Sequence, residues 1–339
     1  NGNFIFITSY WFYTFDHAGA VTWVDGSHMT TGVVSSANSL VGSSQDDSIG
    51  GTLIDGGVIA LTNGNYVVLS PDWDNGGVVD AGAVTWGDGA HGTTGAVSAA
   101  NSLVGSSLND QVGSLYDESG VTELTNGNYV LSSPQWDNGT IVDAGAVAWG
   151  NGMGGTTGAV SAANSLVGST LNDTIGNGSF WGEIGVTVLP SGNYLVNSPH
   201  WTDATSVGAV TWGNGTSGTL GPVSALNSLL NTSANDLTYC NSTFDLFADG
   251  NASLLFPNWS DGSSYAAASL ITCGDTITVG PVSSANSVLG TIDTATLHTD
   301  YDPLNAQLIV GRPEDNKVTI LRCQAADSTS MFYLPLVMR

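Results

Sequence analysis

Short apolar runs separated by turn residues recur along the whole chain. In the copy that begins near Gly120 they are GVTELT, YVLSSP, GAVAWG and GAVSAANSLVG, with Asn, Asp and Gly between them. Runs of β-branched and aromatic residues bounded by Gly, Pro and Asn are typical of β-strands. The Asn-Gly pair between the first two runs favours a tight hairpin, because both turn positions prefer left-handed backbone angles. Each copy therefore predicts four short antiparallel strands.

Three landmarks give the repeat its period. The asparagine that opens the second strand recurs about every 62 residues, at Asn3, Asn65, Asn128, Asn193 and Asn251. A tryptophan follows it in step, at Trp11, Trp73, Trp136, Trp201 and Trp259. A second tryptophan, in GAVTWG, returns at Trp23, Trp86, Trp149 and Trp212, with Cys273 in the fifth copy. Repeats of this length are typical of propellers, solenoids and arrays.

Four strands per repeat predict an all-β fold, a β-propeller of about six four-stranded blades. Copies start near residues 1, 63, 126, 191 and 249, and LIVGRPEDNKVTIL at 308–321 suggests a degenerate sixth copy starting near 307. The repeat domain is expected to span 1–323, with 324–339 as a C-terminal tail or closing strand. If the ring does not close, the same sheets would form an open superhelix.

The periodic tryptophans are interpreted as packing wedges between neighbouring sheets. Exposed indoles can stack on sugars, but a residue that returns once per blade, inside a strand or after a fixed proline, is more often structural. A further recurring residue, the asparagine of SAANSLVG, is likewise interpreted as a side chain that forms hydrogen bonds with backbone at a strand corner. It occurs at Asn38, Asn101, Asn164, Asn227 and Asn286.

The order of these motifs resembles the FG-GAP repeat of integrin-type propellers. DSIG at 47–50, DQVG at 110–113 and DTIG at 173–176 precede the first strand, and the third strand begins with GAV. FG-GAP blades often carry an Asp-rich calcium loop before the second strand. Here that turn reads Asn126-Gly127-Asn128, which is neutral and too short for calcium. No cofactor is implied, calcium elsewhere stays open, and Asp249 is interpreted as a solvated loop acid.

The sequence of the repeat is also similar to a tandem repeat of unassigned function from very long bacterial surface proteins. The matching motifs are NGNYVV, SPxWDNG, GAVTWGNG and SAANSLVG. The closing MFYLPLVMR resembles the terminus of secreted proteins from filamentous thermophilic bacteria. These resemblances imply a secreted, extracellular or cell-surface location more than any activity.

Charge excludes one class of partner. Four Lys and Arg against 29 Asp and Glu give a formal net charge of −25, which would repel nucleic acids and anionic lipid surfaces. No apolar stretch approaches the roughly 20 residues that cross a bilayer, so membrane insertion is not expected. The four cations, Arg312, Lys317, Arg322 and Arg339, all lie near the C-terminus.

Candidate catalytic and metal-binding patterns are weak. The five histidines occupy different repeat positions, and no pair of carboxylates is singled out for acid–base work, so the sequence predicts no enzyme. Cys240, Cys273 and Cys323 have no C-x-x-C spacing, which argues against zinc. One disulfide is predicted between Cys240 and Cys273, because they are nearest in sequence, with Cys323 free.

Two functions remain. The favoured one is a structural subunit of an extracellular filament, sheath or surface layer that binds copies of itself. The alternative is an adhesive propeller that binds surface glycans through loops on one face. The first copy lacks the strand that GVTELT supplies later, which suggests a processed product or the tail of a longer polypeptide, with an unpaired sheet edge. The predicted donor strand, from the same chain or a neighbouring one, includes Phe332, Tyr333, Leu334, Leu336 and Val337.

Overall fold

The second run of each copy forms the best-buried strand. YVVLS at Tyr66–Ser70 and YVLSS at Tyr129–Ser133 are buried along their whole length. Tyr66 and Val68 pack in one hydrophobic cluster and Val67 and Leu69 pack in another, so both faces of that strand are covered. Small sheets within one unit therefore bury each other.

The computed structural model describes most of the chain. The described residues are 2–12, 15–28, 32–51, 57–115, 118–178, 185–204, 207–232, 243–260, 265–273, 276–291, 297–322 and 334–336. They form two compact units, Asn1–Asn177 with Gly213–Pro222, and Gly178–Trp212 with Val223–Arg339.

The first unit contains three sheets and a two-stranded hairpin. Sheet 1 consists of β1 (Phe4–Thr8), β2 (Ala20–Val24), β3 (Leu40–Val41) and, from the next copy, β7 (Gly95–Ala96). Sheet 2 consists of β4 (Val58–Ala60), β5 (Tyr66–Ser70), β6 (Ala83–Gly87), β8 (Ser102–Val104) and β14 (Gly158–Ala159). The hairpin consists of β9 (Ser114–Leu115) and β10 (Glu118–Ser119). Sheet 3 consists of β11 (Val121–Glu123), β12 (Tyr129–Ser133), β13 (Ala146–Gly150), β15 (Ser165–Val167) and β19 (Gly221–Pro222).

The second unit repeats the scheme. Sheet 4 consists of β16 (Val186–Val188), β17 (Tyr194–Thr202), β18 (Val207–Gly213), β20 (Ser228–Leu230) and β25 (Gly280–Pro281). Sheet 5 consists of β21 (Thr243–Leu246), β22 (Ala252–Ser260), β23 (Tyr265–Cys273), β24 (Thr276–Ile277) and β26 (Val288–Gly290). Sheet 6 consists of β27 (His298–Asp302), β28 (Gln307–Arg312), β29 (Lys317–Arg322) and β30 (Leu334–Leu336). The only helix among the described residues is the 3₁₀ turn Pro313–Asp315.

Within each sheet the strands of one copy are antiparallel, and in sheets 1 to 4 a short segment of the next copy adds a parallel strand. We call β7, β14, β19 and β25 the crossing segments. Their N–H groups donate to the fourth strand of the preceding copy, as Val97 N does to Val41 O at 3.1 Å and Val160 N to Val104 O at 3.0 Å. Because these segments cover the edge of each fourth strand, the edge cannot pair with another molecule.

The core consists of layers between successive sheets. One cluster joins sheets 1 and 2 through residues such as Val21, Leu40 and Val68, and another joins sheets 2 and 3. In the second unit, separate clusters join sheets 4 and 5 and sheets 5 and 6. Sheets 2 and 5 are therefore apolar on both faces.

The predicted all-β fold is confirmed, and the predicted Asn-Gly hairpins are present. In the turn before β5, Gly64 has a φ of +88°, a backbone angle that side-chain-bearing residues rarely adopt. Sheet 6 corresponds to the sixth copy that the sequence suggested. Closure into a propeller and the number of blades stay predictions.

The segment predicted as a tail or as a closing or donor strand contributes one strand to the structure. Leu334–Leu336 forms β30, which pairs with β29 of the same chain. The physical reason is the sheet pattern, since a third strand leaves an open edge that the following apolar segment can fill. Phe332, Tyr333 and Val337 lie outside the described residues, as do Cys240 and Cys323, and so does the predicted disulfide.

Candidate interaction surface

The periodic tryptophans of the third strand bond to the next copy. Trp86 donates its indole N–H to Gly152 O at 2.9 Å. The same carbonyl accepts from Asn65 Nδ2 at 2.9 Å and from Asn63 Nδ2 at 2.8 Å. Gly152 must be glycine, because a Cβ there would lie 1.7 Å from Gly127 O.

The same contact recurs between copies 1 and 2 and between copies 3 and 4. Trp23 and Asn3 donate to Gly89 O at 3.1 and 3.0 Å. Trp149 donates to Gly215 O at 2.9 Å. The strand-opening asparagines and third-strand tryptophans of copies 1 to 3 therefore donate to backbone carbonyls of the next copy.

The other tryptophan series is deeply buried. Trp73, Trp136, Trp201 and Trp259 are each at most 3% exposed, whereas Trp11 is half-buried. Trp136 packs in the layer between sheets 2 and 3. Trp259 donates its indole N–H to Thr232 Oγ1 at 3.1 Å. Trp212 is half-buried and packs against the layer between sheets 4 and 5.

Two aspartates, Asp47 and Asp110, link successive copies, a role that sequence reasoning missed. Asp110 is fully buried and accepts three backbone N–H bonds, from Ser106 and Ser107 at 2.7 and 2.8 Å and from Asp137 of the next copy at 2.9 Å. Asp47 makes the same set of contacts. Asp173 accepts from the equivalent loop of its own copy. We call Asp47 and Asp110 the bridging aspartates. The sequence signal for this role was the Asp that recurs at the start of DSIG, DQVG and DTIG.

The bridging aspartates give stability a pH dependence. Burial raises the pKa of Asp47 and Asp110 above 3.8, although the backbone N–H donors oppose it. A folded pKa above the unfolded value contributes stability that is fully present below 3.8 and is lost as pH rises through the folded value. We expect the thermal unfolding midpoint to rise as pH is lowered from about 7 to about 4.5.

The control for this prediction is His200, whose pKa is lowered by burial. Its contribution has the opposite sign, because stability is lost as pH falls through its folded pKa. The variant His200→Gln should therefore show a larger rise of the midpoint than the unsubstituted chain. A midpoint that stays flat or falls in the His200→Gln variant between the two pH values would contradict the prediction.

The corner asparagines bond backbone, as the sequence suggested. Asn101 Oδ1 accepts from Ser98 N at 2.8 Å, and Asn101 Nδ2 donates to Ala96 O at 2.9 Å. Ser102 Oγ donates to the same Oδ1 at 3.0 Å and lies 2.7 Å from Thr85 Oγ1. Since the Ser102 proton is used, the Thr85 hydroxyl is the donor of that second bond.

Copy 3 lacks this buried threonine and has Ala148 in its place. Removing the hydroxyl in copy 2 by Thr85→Ala should lower the free energy of unfolding by about 1 kcal/mol. The reciprocal Ala148→Thr should raise it by a similar or smaller amount, because copies 1, 2 and 4 accommodate threonine there. Urea unfolding midpoints measure both. If both substitutions lowered the free energy of unfolding, or both raised it, the hydrogen-bond explanation would be contradicted.

Copy 1 exposes positions that are buried in later copies. Phe4 and Phe6 on β1 are 57% and 60% exposed, whereas their equivalents Tyr66 and Val68 are 4% and 0% exposed. Tyr66 and Val68 pack against sheet 1, so Phe4 and Phe6 lie on the face that would meet a preceding sheet.

Aromatic residues continue beyond β1. Tyr10 and Phe12 are exposed, and the Tyr10 ring lies edge-on to His17 at 5.0 Å between centroids. His17 Nδ1 lies 3.0 Å from Asp46 Oδ1. A groove of about 460 Å³ runs beside β1 and is lined by Phe4, Trp23, Val58 and Tyr66 among others. Copy 1 is thus the most apolar exposed part of the first unit.

A second groove lies between the fifth and sixth copies. It has a volume of about 430 Å³ and is lined by Asp245, Phe247 and Tyr301 among others. The rings of Phe247 and Tyr301 stack at 3.8 Å between centroids. Tyr301 donates its hydroxyl to Asp249 Oδ2 at 2.6 Å, and burial together with this bond raises the pKa of Tyr301 to about 12. Asp249 is therefore held in a side-chain network rather than fully solvated.

Within the described residues, no three His, Cys, Asp or Glu side chains lie together as a metal site requires. The same residues contain no helix that is long and apolar enough to cross a membrane.

These observations define a class, an all-β tandem-repeat protein whose recurring polar residues join one copy to the next. The chain belongs to the family described as Repeat of unknown function (DUF5650), which matches residues 1–51, 60–114, 123–177, 188–238 and 247–297. The predicted tandem repeat of unassigned function is thereby confirmed. The resemblance to FG-GAP repeats and that of the C-terminus stay predictions. A comparison with curated proteins finds no match.

Solved structures show only distant similarity. A Bacteroides uniformis protein provisionally assigned as a 6-phosphogluconolactonase has a TM-score of 0.34 and 10% identity, covering 99% of this chain and 82% of that one. Hydrazine synthase of Kuenenia stuttgartiensis has a TM-score of 0.28 and 14% identity, covering 90% of this chain and 70% of that one. Values this low carry no inference about fold or activity.

Proposed function

We propose that the chain is a non-enzymatic structural subunit of an extracellular filament, sheath or surface layer, with itself as partner. One observation carries this proposal: the recurring Trp, Asn and Asp side chains bond backbone of the same or the next copy. Polar groups that recur from copy to copy and are engaged in this way support cohesion rather than ligand binding. A structural role needs only that cohesion.

We also propose that the six sheets are the blades of a propeller, with an open superhelix as the second arrangement. The four-stranded antiparallel pattern of the copies supports blades. Secretion would suit a chain with so few Lys and Arg, because trypsin-like proteases find few cleavage sites.

Electron microscopy of negatively stained protein, over a range of concentrations, tests the function. Ordered fibres or sheets support a structural subunit. Isolated particles at every concentration would contradict it, and sedimentation velocity on the same samples gives an independent mass.

Adhesion to surface glycans is the second candidate, because Tyr10 and Phe12 are exposed and the Tyr10 ring lies against His17, which contacts Asp46. Exposed aromatic rings beside carboxylates suit sugar binding. Binding to a glycan array that is lost in Tyr10→Ala, with fold and assembly unchanged, would favour this alternative.

A further inference from the structure

The groove between copies 5 and 6 contains an aromatic residue at a position where other copies have a core leucine. Phe247 N donates to Asn251 O at 2.9 Å, as Leu61 N donates to Asn65 O at 2.8 Å in copy 2. The equivalent leucines of copies 2 to 4 are at most 4% exposed: Leu61, Leu124 and Leu189. Phe247 is only half-buried and lines the groove. Copy 5 therefore presents a ring where the other copies bury an aliphatic side chain.

A carboxylate departs from the repeat at the same place. Asp245 lies two residues before Phe247 and also lines the groove. The equivalent positions of copies 3 and 4 are Thr122 and Thr187, and copy 2 has Ile59. The recurring polar residues join one copy to the next, so two departures beside one groove indicate a local role rather than cohesion.

Sheet 6 supplies a second ring that is held in place. Tyr301 stacks on Phe247 at 3.8 Å between centroids, with the two rings within 5° of parallel. The Tyr301 hydroxyl donates to Asp249 Oδ2 at 2.6 Å and accepts from Asn251 Nδ2 at 2.7 Å. A flat aromatic pair fixed in this way loses little freedom when a ligand binds, which favours affinity.

Charge indicates which ligand suits the groove. Asp245 from sheet 5 and Asp300 from sheet 6 both line it. The ion pairs within the described part of the chain involve other carboxylates, so no Lys, Arg or His there neutralises these two. An organic cation is attracted both by carboxylates and by the faces of aromatic rings. A guanidinium group fits best, because it is planar, stacks on rings and donates two parallel bonds to a carboxylate.

We propose that this groove binds a guanidinium cation, which stacks against the Phe247–Tyr301 pair and donates to Asp245 and Asp300. Its volume of about 430 Å³ is within the range of small-ligand sites. The apolar side chains of Leu246 and Pro303 also line the groove and would contact the aliphatic stem of the ligand. The site lies within the second unit, and it goes beyond the structural function without depending on it.

A pair of matched probes tests the role of charge. N-acetyl-arginine amide should bind with a dissociation constant of about 1 mM or tighter in isothermal titration at low salt. The neutral isostere N-acetyl-citrulline amide should bind at least about tenfold more weakly, because it lacks the cation. Raising the salt to about 0.5 M should weaken binding of the arginine probe.

A capped Gly-Gly-Arg-Gly-Gly peptide distinguishes two sources of the guanidinium group. Tighter binding of the peptide than of N-acetyl-arginine amide assigns the cation to an arginine of a protein partner. Equal binding assigns it to a free guanidino compound. Both results support the site.

Variants that restore the repeat test the location. Phe247→Leu and Asp245→Thr install the residues that copies 3 and 4 have at these positions, so the fold should be kept. Each should weaken binding of the arginine probe at least about tenfold. Asp46→Asn removes an exposed carboxylate of copy 1 and should bind normally. Circular dichroism and thermal melting check that every variant folds.

Several results would overturn the site. Absence of saturable binding by the arginine probe, or equal binding of the citrulline probe, would exclude a cation site. Binding that is unchanged in both Phe247→Leu and Asp245→Thr would place the cation elsewhere. Binding of a neutral oligosaccharide, but not of the arginine probe, that is lost in Phe247→Leu would assign the groove to glycans instead. None of these results decides whether the chain forms fibres, which microscopy tests separately.

Discussion

Replacing Trp136 by alanine is expected to lower the free energy of unfolding by about 3–5 kcal/mol, the usual cost of deleting a buried large aromatic side chain. Trp136 is 3% exposed and packs with Val67, Leu69 and Leu131 between sheets 2 and 3. The cavity would separate two sheets that stabilise each other, since repeat proteins depend on the interfaces between neighbours. Chemical unfolding followed by tryptophan fluorescence and circular dichroism measures the change.

Phenylalanine makes the sharper comparison. The indole N–H of Trp136 is buried and has no hydrogen-bond partner among the described residues. Trp136→Phe removes that unsatisfied donor, so part of the packing loss should be offset and the cost should stay below about 1.5 kcal/mol. Trp86→Phe removes a real bond to Gly152 O and should cost about 1 kcal/mol with no such offset. If Trp136→Phe costs as much as Trp136→Ala, the packing explanation is wrong.

Much of this architecture could be predicted from the sequence, because its signals are local. The Asn-Gly turn before Asn65 and the β-branched runs around it specify a hairpin without help from distant residues. The repeat then shows the same hairpin in every copy, which turns a weak local signal into a strong one. The sixth sheet was suggested by one phrase, LIVGRPEDNKVTIL.

The remaining features depend on contacts between copies, which a linear pattern does not contain. The role of Asp110 requires the position of Asp137 N, which lies in the next copy. The pairing of β30 with β29 requires knowing which sheet edge is nearest to the tail. Phe4 and Phe6 are exposed, although their sequence resembles that of a buried strand.

Replacing Asp110 by alanine is expected to lower the free energy of unfolding by about 3 kcal/mol or more. Three backbone N–H groups, of Ser106, Ser107 and Asp137, would each lose a charge-assisted bond worth about 1.5–3 kcal/mol, although such losses are not additive. Two of the bonds order the loop of copy 2 and the third joins copy 3. The variant should therefore weaken the contact between copies as well as the loop itself.

Asparagine at the same position separates charge from hydrogen bonding. Its single oxygen cannot accept all three bonds but can keep some of them, so Asp110→Asn should cost about 1–2 kcal/mol at neutral pH, less than alanine, which keeps none. Burial raises the pKa of Asp110, so the unsubstituted protein gains stability from this residue as pH falls. The penalty for asparagine should therefore grow from about pH 7 to about pH 4.5, while Leu108→Ala, an exposed change in the same loop, should cost little at either pH. A penalty that shrinks at the lower pH would show that Asp110 contributes as a carboxylate stabilised in the fold, against the direction argued from its burial.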